Sequence, residues 1–517
     1  MKILTTSTLK KSKLFVINSA IIMLSSLIIK IISSTFDIFL ANKIGAEAIG
    51  VYSLIMSIYI FAVTIATSGV NLAATKVISE ELEKNNSGDV PRIVKRCFLY
   101  SFLMGIFACT LLITFAPYIC KHWLMDKVSH TVIYALAISL PFVSMTSAIS
   151  GYFLAVRNVL RTSISQIAGQ LMRIGIVFML VMYIFPNSIN NSALALVIGG
   201  TISEIISFIF LYITYAKDKK KHNMLKDKSA NLTKRILKIS LPIAITSYIR
   251  SGLNTLKQII IPIRLKLSGM SYTKAIAEYG IICGMAIPII MFPSVIVYSY
   301  SSLLVPEFSR FSVHEDKSVM RRNISKMFKI TLYFSIAIAG ILMYFGKDIG
   351  NLLYNTQDVG WYIKIMAPLI VLMYLDNVID NILKGLGKQV SVMCCNILDL
   401  VISVSFIYFL LPIFGSTGYI IVMYISEILN YTISVITLFK ETELKFKYFE
   451  WFIVPVICIA ISLIISSIFS FSYLGTALAL ILKILLCIIC YICLIAVALS
   501  RKNPSLWYNI LVRPRHR

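Results

Sequence analysis

The chain has 517 residues, of which 58% are hydrophobic and 14% are charged, and its mean hydropathy is +0.84. Ordinary soluble domains are about 45 to 50% apolar, so this composition excludes a typical soluble enzyme or regulatory domain. The formal net charge of +26 would suit a nucleic-acid partner, but the positions of the basic residues argue against one.

Apolar stretches of about 20 residues recur along nearly the whole chain, and each could cross a hydrocarbon core of about 30 Å as a helix. Fourteen such stretches are centred near Met23, Tyr59, Phe107, Phe142, Phe178, Glu204, Tyr248, Pro288, Ile338, Met373, Ile402, Glu427, Ile461 and Leu485. The sequence therefore predicts an all-α membrane protein with fourteen transmembrane helices. We expect no catalytic residue, metal site or cofactor.

Basic residues mark alternate connections between these stretches and both chain termini. The longest polar connection, Lys217 to Lys238, contains nine Lys or Arg residues, whereas the loops Pro186 to Ser192 and Pro412 to Gly418 contain none. Cytoplasmic loops of membrane proteins carry such an excess of Lys and Arg. The pattern predicts that both termini and the long connection lie in the cytoplasm. Membrane topology thus explains the basic residues, and a nucleic-acid partner is not expected.

Ionisable residues interrupt several of the apolar stretches, where each costs about 2.5 to 3.5 kcal/mol on insertion scales. The first predicted helix carries Lys30 and Asp37, seven residues apart on one face, and the fifth carries Arg173. In the seventh, Arg250, Asn254 and Lys257 follow at i, i+4 and i+7, and so they also share one face.

The later helices carry acids. Asp376 and Asp380 lie in the tenth predicted helix and Asp399 lies in the eleventh. With Arg173, they are candidates for ion coupling or for ion pairs between helices. A simpler interpretation of Asp380 is a pair with Lys384 at i+4.

A repeated phrase indicates an internal duplication. Ile202–Ile206 reads Ile-Ser-Glu-Ile-Ile and Ile425–Leu429 reads Ile-Ser-Glu-Ile-Leu, about 220 residues apart, and both phrases centre on an acid, Glu204 or Glu427. Six helices per repeat give two parallel lobes related by a pseudo-twofold axis along the membrane normal, an arrangement typical of alternating-access transporters. Because both acids recur at equivalent positions, we interpret them as structural.

The repeat predicts four regions: a first six-helix lobe (residues 1–216), a basic cytoplasmic connector (217–238), a second six-helix lobe (239–440), and helices thirteen and fourteen with a basic tail (441–517). Because the first and seventh helices begin the two lobes, we expect their charged faces to line one cavity. The residues predicted to bind an anionic substrate are Lys30, Asp37, Arg250, Asn254 and Lys257. The alternative is that Lys30 pairs with Asp37 and that Lys257 reaches the membrane surface.

Several phrases resemble one known family. They are Lys30-Ile-Ile, the run from Leu40 to Tyr52, Ile261-Pro-Ile-Arg-Leu265, Gly284-Met-Ala-Ile-Pro288 and Phe292-Pro293. In their order and spacing they resemble the stage V sporulation protein B group, within the superfamily of polysaccharide-precursor flippases and multidrug and toxin extrusion transporters.

The resemblance implies a flippase of the bacterial cell membrane that moves an undecaprenyl-pyrophosphate-linked saccharide, with lipid II for peptidoglycan or spore cortex as the first choice. It implies a diphosphate-binding cation at Lys30, although Phe36 replaces the family's second basic position. Membrane lipids and cell-wall synthesis proteins are the expected partners of a monomer. The alternatives are a flippase for another polysaccharide unit, such as teichuronic acid or capsule, and a cation-coupled multidrug extruder. An enzyme is not expected, since the outer loops are short.

Overall fold

The computed structural model describes residues 2–83, 89–184, 189–219, 232–301, 308, 317–354, 356–442, 448–469 and 475–500. Within these ranges the regular elements are helices: α1 (Lys2–Thr67), α2 (Val70–Glu83), α3 (Val90–Tyr118), α4 (His130–Ala155), α5 (Val159–Met179), α6 (Ile189–Lys219), α7 (Leu232–Leu267), α8 (Tyr272–Tyr279), α9 (Ile287–Met291), α10 (Lys317–Tyr354), α11 (Gln357–Met366), α12 (Leu369–Gly385), α13 (Gln389–Thr442), α14 (Val454–Ile468) and α15 (Thr476–Ser500). Short π-helical segments occur at Ile119–Trp123, Leu180–Ile184, Gly280–Ala286 and Phe449–Ile453. The basic C-terminal tail and residues 220–231 of the predicted connector lie outside the described residues.

The helices confirm an all-α membrane protein. In the described ranges, ten helical stretches are long and apolar enough to cross a membrane, or eleven if the bent pair Asp358–Met366 and Leu369–Gly385 forms one span. This count is lower than the predicted fourteen. Two stretches are 61 and 54 residues long, far more than the ~20 that one crossing needs. Helix α7 is not among the ten, because Arg250, Asn254 and its hydroxyl residues lower its hydropathy.

Two glycines break the two longest helices. Gly45 in α1 has φ 82° and Gly415 in α13 has φ 58°, in the left-handed region that glycine adopts without a steric penalty. Gly45 lies between the predicted helix centres Met23 and Tyr59, and Gly415 lies between Ile402 and Glu427. Each long helix therefore contains two of the predicted apolar stretches, joined at a change of direction rather than by a loop.

The described residues of Met1–Gly284 and Asn396–Val422 form one compact unit. Its best-packed core lies where α2, α3 and α4 meet, and its members are mostly small or β-branched: Val70, Ala73, Ala74, Val77, Ile78, Ile93, Val94, Cys97, Ala148 and Ile149. A hydrogen bond joins α3 to α4, since Ser144 Oγ donates to the carbonyl oxygen of Ser101 at 2.7 Å. Small side chains permit the close backbone approach that stabilises helix pairs in lipid.

The described residues of Met285–Cys395 and Met423–Arg517 form a second compact unit. Within it α10 packs closely on α11, since a Cβ added at Gly350 would lie 2.5 Å from the Gly360 nitrogen. Lys329 Nζ lies 3.0 Å from Glu450 Oε1, at the π-helical segment before α14. The boundaries of these compact units differ from those of the predicted lobes, residues 1–216 and 239–440. The lobes describe an internal symmetry of the sequence, and they stay a prediction.

Helix α1 also packs backbone to backbone against α8 in the first unit. A Cβ added at Gly50 would lie 2.2 Å from the carbonyl oxygen of Ile276, and one added at Gly280 would lie 2.1 Å from that of Ala46. No Cβ fits at such distances, so this contact depends on glycine from both sides.

We expect Gly50→Val to lower the thermal unfolding midpoint of the detergent-purified protein, because the added side chain must push α8 away from α1. Overpacking of this kind costs about 1 to 3 kcal/mol. Gly175→Ala is the control, since a Cβ there meets no atom within 4 Å. An equal effect of the two substitutions would contradict the close packing.

An ion pair holds the end of α2 against the start of α7. Arg235 Nη1 lies 2.5 Å from Glu81 Oε1, and the other guanidinium nitrogen binds Glu80. The Glu81 side chain is only 7% exposed. Because the guanidinium presents a rigid fork of donors, one arginine neutralises both carboxylates.

Arg235→Ala should lower stability by about 1 to 3 kcal/mol, because it leaves the Glu81 carboxylate shielded from water without its cation. Adding Glu81→Gln should recover part of the loss, as expected for coupled residues. Thermal unfolding measures both effects, with the exposed neighbour substitution Lys234→Ala as control. Strict additivity of the two changes would show that the pair makes no contribution.

Candidate functional site

Helix α7 presents polar side chains to a cavity of about 490 Å³. Seven of its eight lining residues are polar: Thr64, Ser247, Arg250, Ser251, Asn254, Asn396 and Asp399, with Leu400 as the apolar member. Ligand pockets are ordinarily lined mainly by apolar side chains, so this one is unusually polar for a chain of this hydropathy. The cavity offers hydroxyls, amides, one guanidinium and one carboxylate.

An adjacent face of α7 is fastened to α1. Thr255 Oγ1 donates to the carbonyl oxygen of Ser57 at 2.9 Å, and the hydroxyls of Thr64 and Ser251 lie 3.1 Å apart. The hydroxyl of Tyr248 is within hydrogen-bond distance of Ser68. These contacts fix the rotation of α7 about its axis and thereby place Arg250 and Asn254 on the cavity wall.

A second cavity, of about 400 Å³, adjoins the first, because Thr64 and Ser247 line both. Its wall is formed by Met56, Tyr59, Ile60, Val63, Thr64, Thr67, Gly69, Val70, Asn71, Leu72, Val143, Ser147, Glu204, Ile243 and Ser247. Glu204 is the charged residue of this wall. Its predicted structural role stays untested, and its position beside a cavity supports a different use.

Arg173 on α5 interacts with groups from two other helices, α1 and α6. Its Nη2 lies 2.6 Å from the hydroxyl of Tyr52, and its charge acts on both Asp37 and Glu204. Lys30 also acts on Asp37. Of the residues predicted to bind substrate together, Lys30 and Asp37 thus interact with each other, and they are not among the lining residues of the Arg250 cavity.

Lys257 is half-buried near a different group of side chains. Its charge acts on the thiol of Cys283, and that sulfur lies 3.7 Å from the hydroxyl of Tyr419. Lys257 is not among the lining residues of the Arg250 cavity. Its predicted role in substrate binding therefore gains no support from this position.

The remaining predicted residues, apart from Asp399, belong to the second unit. The i, i+4 pair is present, with Lys384 Nζ 3.7 Å from Asp380 Oδ2, and Asn430 Nδ2 donates to Asp376 Oδ2 at 2.8 Å. Glu427 is half-buried on α13. These contacts join neighbouring turns or helices, and so they suit packing at least as well as ion coupling.

The sequence interpretation overlooked most of the hydroxyl and amide residues at the Arg250 cavity. Hydroxyl residues give no distinctive signal, because they occur throughout apolar helices and bond back to carbonyls, as Thr64 Oγ1 does to Ile60. Asn396 could have been found, since it precedes Asp399 by three residues and shares its helix face. Within the described residues no group of three or more His, Cys, Asp or Glu side chains could hold a metal ion.

The chain is similar to known membrane proteins. A family model described as polysaccharide biosynthesis protein matches residues 15–312, and the model MatE matches residues 242–409. The chain is 22% identical to stage V sporulation protein B of Bacillus subtilis (strain 168) over 467 residues, which cover 88% of this chain and 90% of that protein. It is also 22% identical to the lipid II flippase MurJ of the same organism, over 75% of this chain and 76% of that one.

Solved structures share the fold. A structure described as lipid II flippase MurJ in an inward closed conformation has a TM-score of 0.70 at 13% identity, covering 95% of this chain and 99% of that one. An inward-facing multidrug resistance MATE family transporter has a TM-score of 0.65 at 12% identity, covering 80% and 96%. The resemblance proposed from the sequence is confirmed. The chain is a multi-pass bacterial membrane protein that belongs to the polysaccharide biosynthesis protein family.

Proposed function

We propose that the chain is a flippase that moves an undecaprenyl-pyrophosphate-linked saccharide to the outer leaflet of the membrane, with lipid II as the substrate we favour. The observation that carries the proposal is the polar cavity beside Arg250 and Asn254 in a protein whose other helices are strongly apolar. The relatives named for stage V sporulation and for lipid II flipping support this substrate class.

The chemistry of the cavity suits the head group of such a lipid. A diphosphate cannot cross about 30 Å of hydrocarbon unsolvated, because even one buried charge costs several kcal/mol. The Arg250 guanidinium can bind phosphate oxygens through two parallel hydrogen bonds. The amides of Asn254 and Asn396 and the hydroxyls of Ser247 and Ser251 can donate to and accept from sugar hydroxyls. The isoprenoid tail needs no polar site and can stay in lipid.

Alternating access is the mechanism we propose for the movement. Fourteen helices would form two parallel six-helix lobes, with α14 and α15 outside the repeat and both termini in the cytoplasm. The breaks at Gly45 and Gly415 support the higher helix number, since each divides a stretch long enough for two crossings. The two lobes would then rock about a site near their axis. The chain acts in this proposal as a transporter and not as an enzyme.

Arg250→Ala should strongly reduce translocation while the protein still reaches the membrane. Losing a charge-assisted hydrogen bond costs about 1.5 to 3 kcal/mol, which corresponds to a loss of roughly 10- to 150-fold. Arg250→Lys should retain part of the activity, because it keeps the charge without the two-pronged donors. The measurement is lipid II translocation in proteoliposomes, with Lys266→Ala, an exposed cation on the same helix, as control. Normal translocation by Arg250→Ala would remove the cavity from the mechanism.

Lys30 provides a second test, because the family resemblance gives it a role in head-group capture and its charge acts on Asp37. Lys30→Ala should weaken translocation and Lys30→Arg should be partly spared, since the second change keeps the charge. Equal losses in both variants would count against a role based on charge. Initial rates at low and high substrate density distinguish weaker capture from slower movement.

Complementation identifies the saccharide. Expression of the chain in a bacterial cell depleted of its own lipid II flippase should restore growth. Failure there, combined with rescue of a strain that cannot export a capsule or teichuronic acid precursor, would assign the other polysaccharide unit as substrate.

A further inference from the structure

The cavity beside Glu204 has a charge character opposite to that of the Arg250 side chain. Its fifteen lining residues include one charged side chain, the Glu204 carboxylate, together with several apolar residues of α1 and α2. A carboxylate at such a wall is costly in an apolar helix unless it has a partner. The Glu204 carboxylate on α6 therefore needs a partner, which is either a ligand that enters the cavity or a side chain outside it.

The groups that face Glu204 can be named helix by helix. From α5, the charge of Arg173 acts on it, but Arg173 is not among the lining residues and its Nη2 contacts the hydroxyl of Tyr52. From α1, Tyr59 lines the cavity, and its hydroxyl lies 2.7 Å from Ser139 Oγ on α4. Arg173 thus acts on Glu204 without lining the cavity, while the other residues of the cavity wall are uncharged.

A second hydrogen-bond acceptor, the amide of Asn71, lines the same cavity as Glu204. Asn71 uses its Nδ2 to donate to the carbonyl oxygen of Ser147 at 3.1 Å, which fixes the amide with its oxygen as the remaining acceptor. A carboxylate, an amide oxygen and a tyrosine ring are the groups that bind an ammonium ion, through charged hydrogen bonds and a cation–π contact.

The two cavities adjoin at Thr64 and Ser247, so one extended ligand could occupy both. We propose that the Glu204 cavity binds an ammonium group on the head group of the lipid-linked substrate, while the Arg250 cavity binds its diphosphate. This inference rests on the proposed flippase function and adds a specificity-determining residue to it. The Glu204 cavity has a carboxylate as its charged lining residue, whereas the Arg250 cavity has a guanidinium beside the Asp399 carboxylate, and this difference would fix the direction in which the head group lies.

The experiment compares two lipid-linked head groups that share the same saccharide diphosphate and differ only in a free or an N-acetylated amine. Wild-type protein in proteoliposomes should translocate the free amine about tenfold faster at limiting substrate, since one charge-assisted pair is at stake. Glu204→Gln should lose this preference by slowing the free amine alone. Glu427→Gln, the same change in the repeated phrase, should keep the preference.

Three results would overturn the inference while the flippase function stands: no preference in the wild type, an equal slowing of both substrates by Glu204→Gln, or a Glu204→Gln effect that follows the sodium or proton gradient and not the amine. The last result would assign the carboxylate to a free cation. Translocation of neither substrate by well-folded wild-type protein would reject the proposed function together with the inference. Retained thermal stability of Glu204→Gln shows that a rate change is not misfolding.

Discussion

The attachment of α7 to α1 is the contact on which the candidate site depends. A helix with an arginine, an asparagine and a lysine on its surface is unstable against lipid, so its polar groups must face protein or an enclosed cavity. The hydrogen bonds from Thr255 to the Ser57 carbonyl and between Thr64 and Ser251 provide that position. The ion pair of Arg235 with Glu80 and Glu81 attaches the start of α7 to α2 as well, beyond the apolar part of the helix. Because these contacts occupy one face of α7, the face that carries Arg250 and Asn254 remains available for a ligand.

Much of the fold could be predicted from the sequence, because hydropathy alone determines which segments can lie in a membrane. The count of spans was harder. Gly45 and Gly415 bend α1 and α13 without a polar loop, so the number of crossings depends on how a continuous helix is divided. The compact units were not predicted, since residues 396–422 pack with the first part of the chain, and such long-range packing leaves no local pattern.

The site was predictable where helix periodicity carries the information. Spacing placed Arg250 and Asn254 on one face, and the structure brings both to one cavity. Spacing could not show that Asp399 lines the same cavity from a helix about 150 residues away, or that the charge of Arg173 acts on Asp37. Those relations depend on tertiary packing, and a single sequence contains no record of it.

The repeated glutamates show how far an internal duplication constrains function. Both phrases specify the same apolar helix with a carboxylate at the same turn, yet Glu204 borders a cavity beside Arg173, and Glu427 lies half-buried on α13 within the second unit. A repeat preserves the helix, whereas the neighbours of each residue decide what its charge can do. Because Glu204 is the charged lining residue of one cavity, and Arg250 lines the adjoining cavity beside Asp399, the distribution of charge at the site is a property of one part of the chain and not of the duplication. An asymmetric substrate, anionic at one end and cationic at the other, is the ligand that such a site can hold in one orientation.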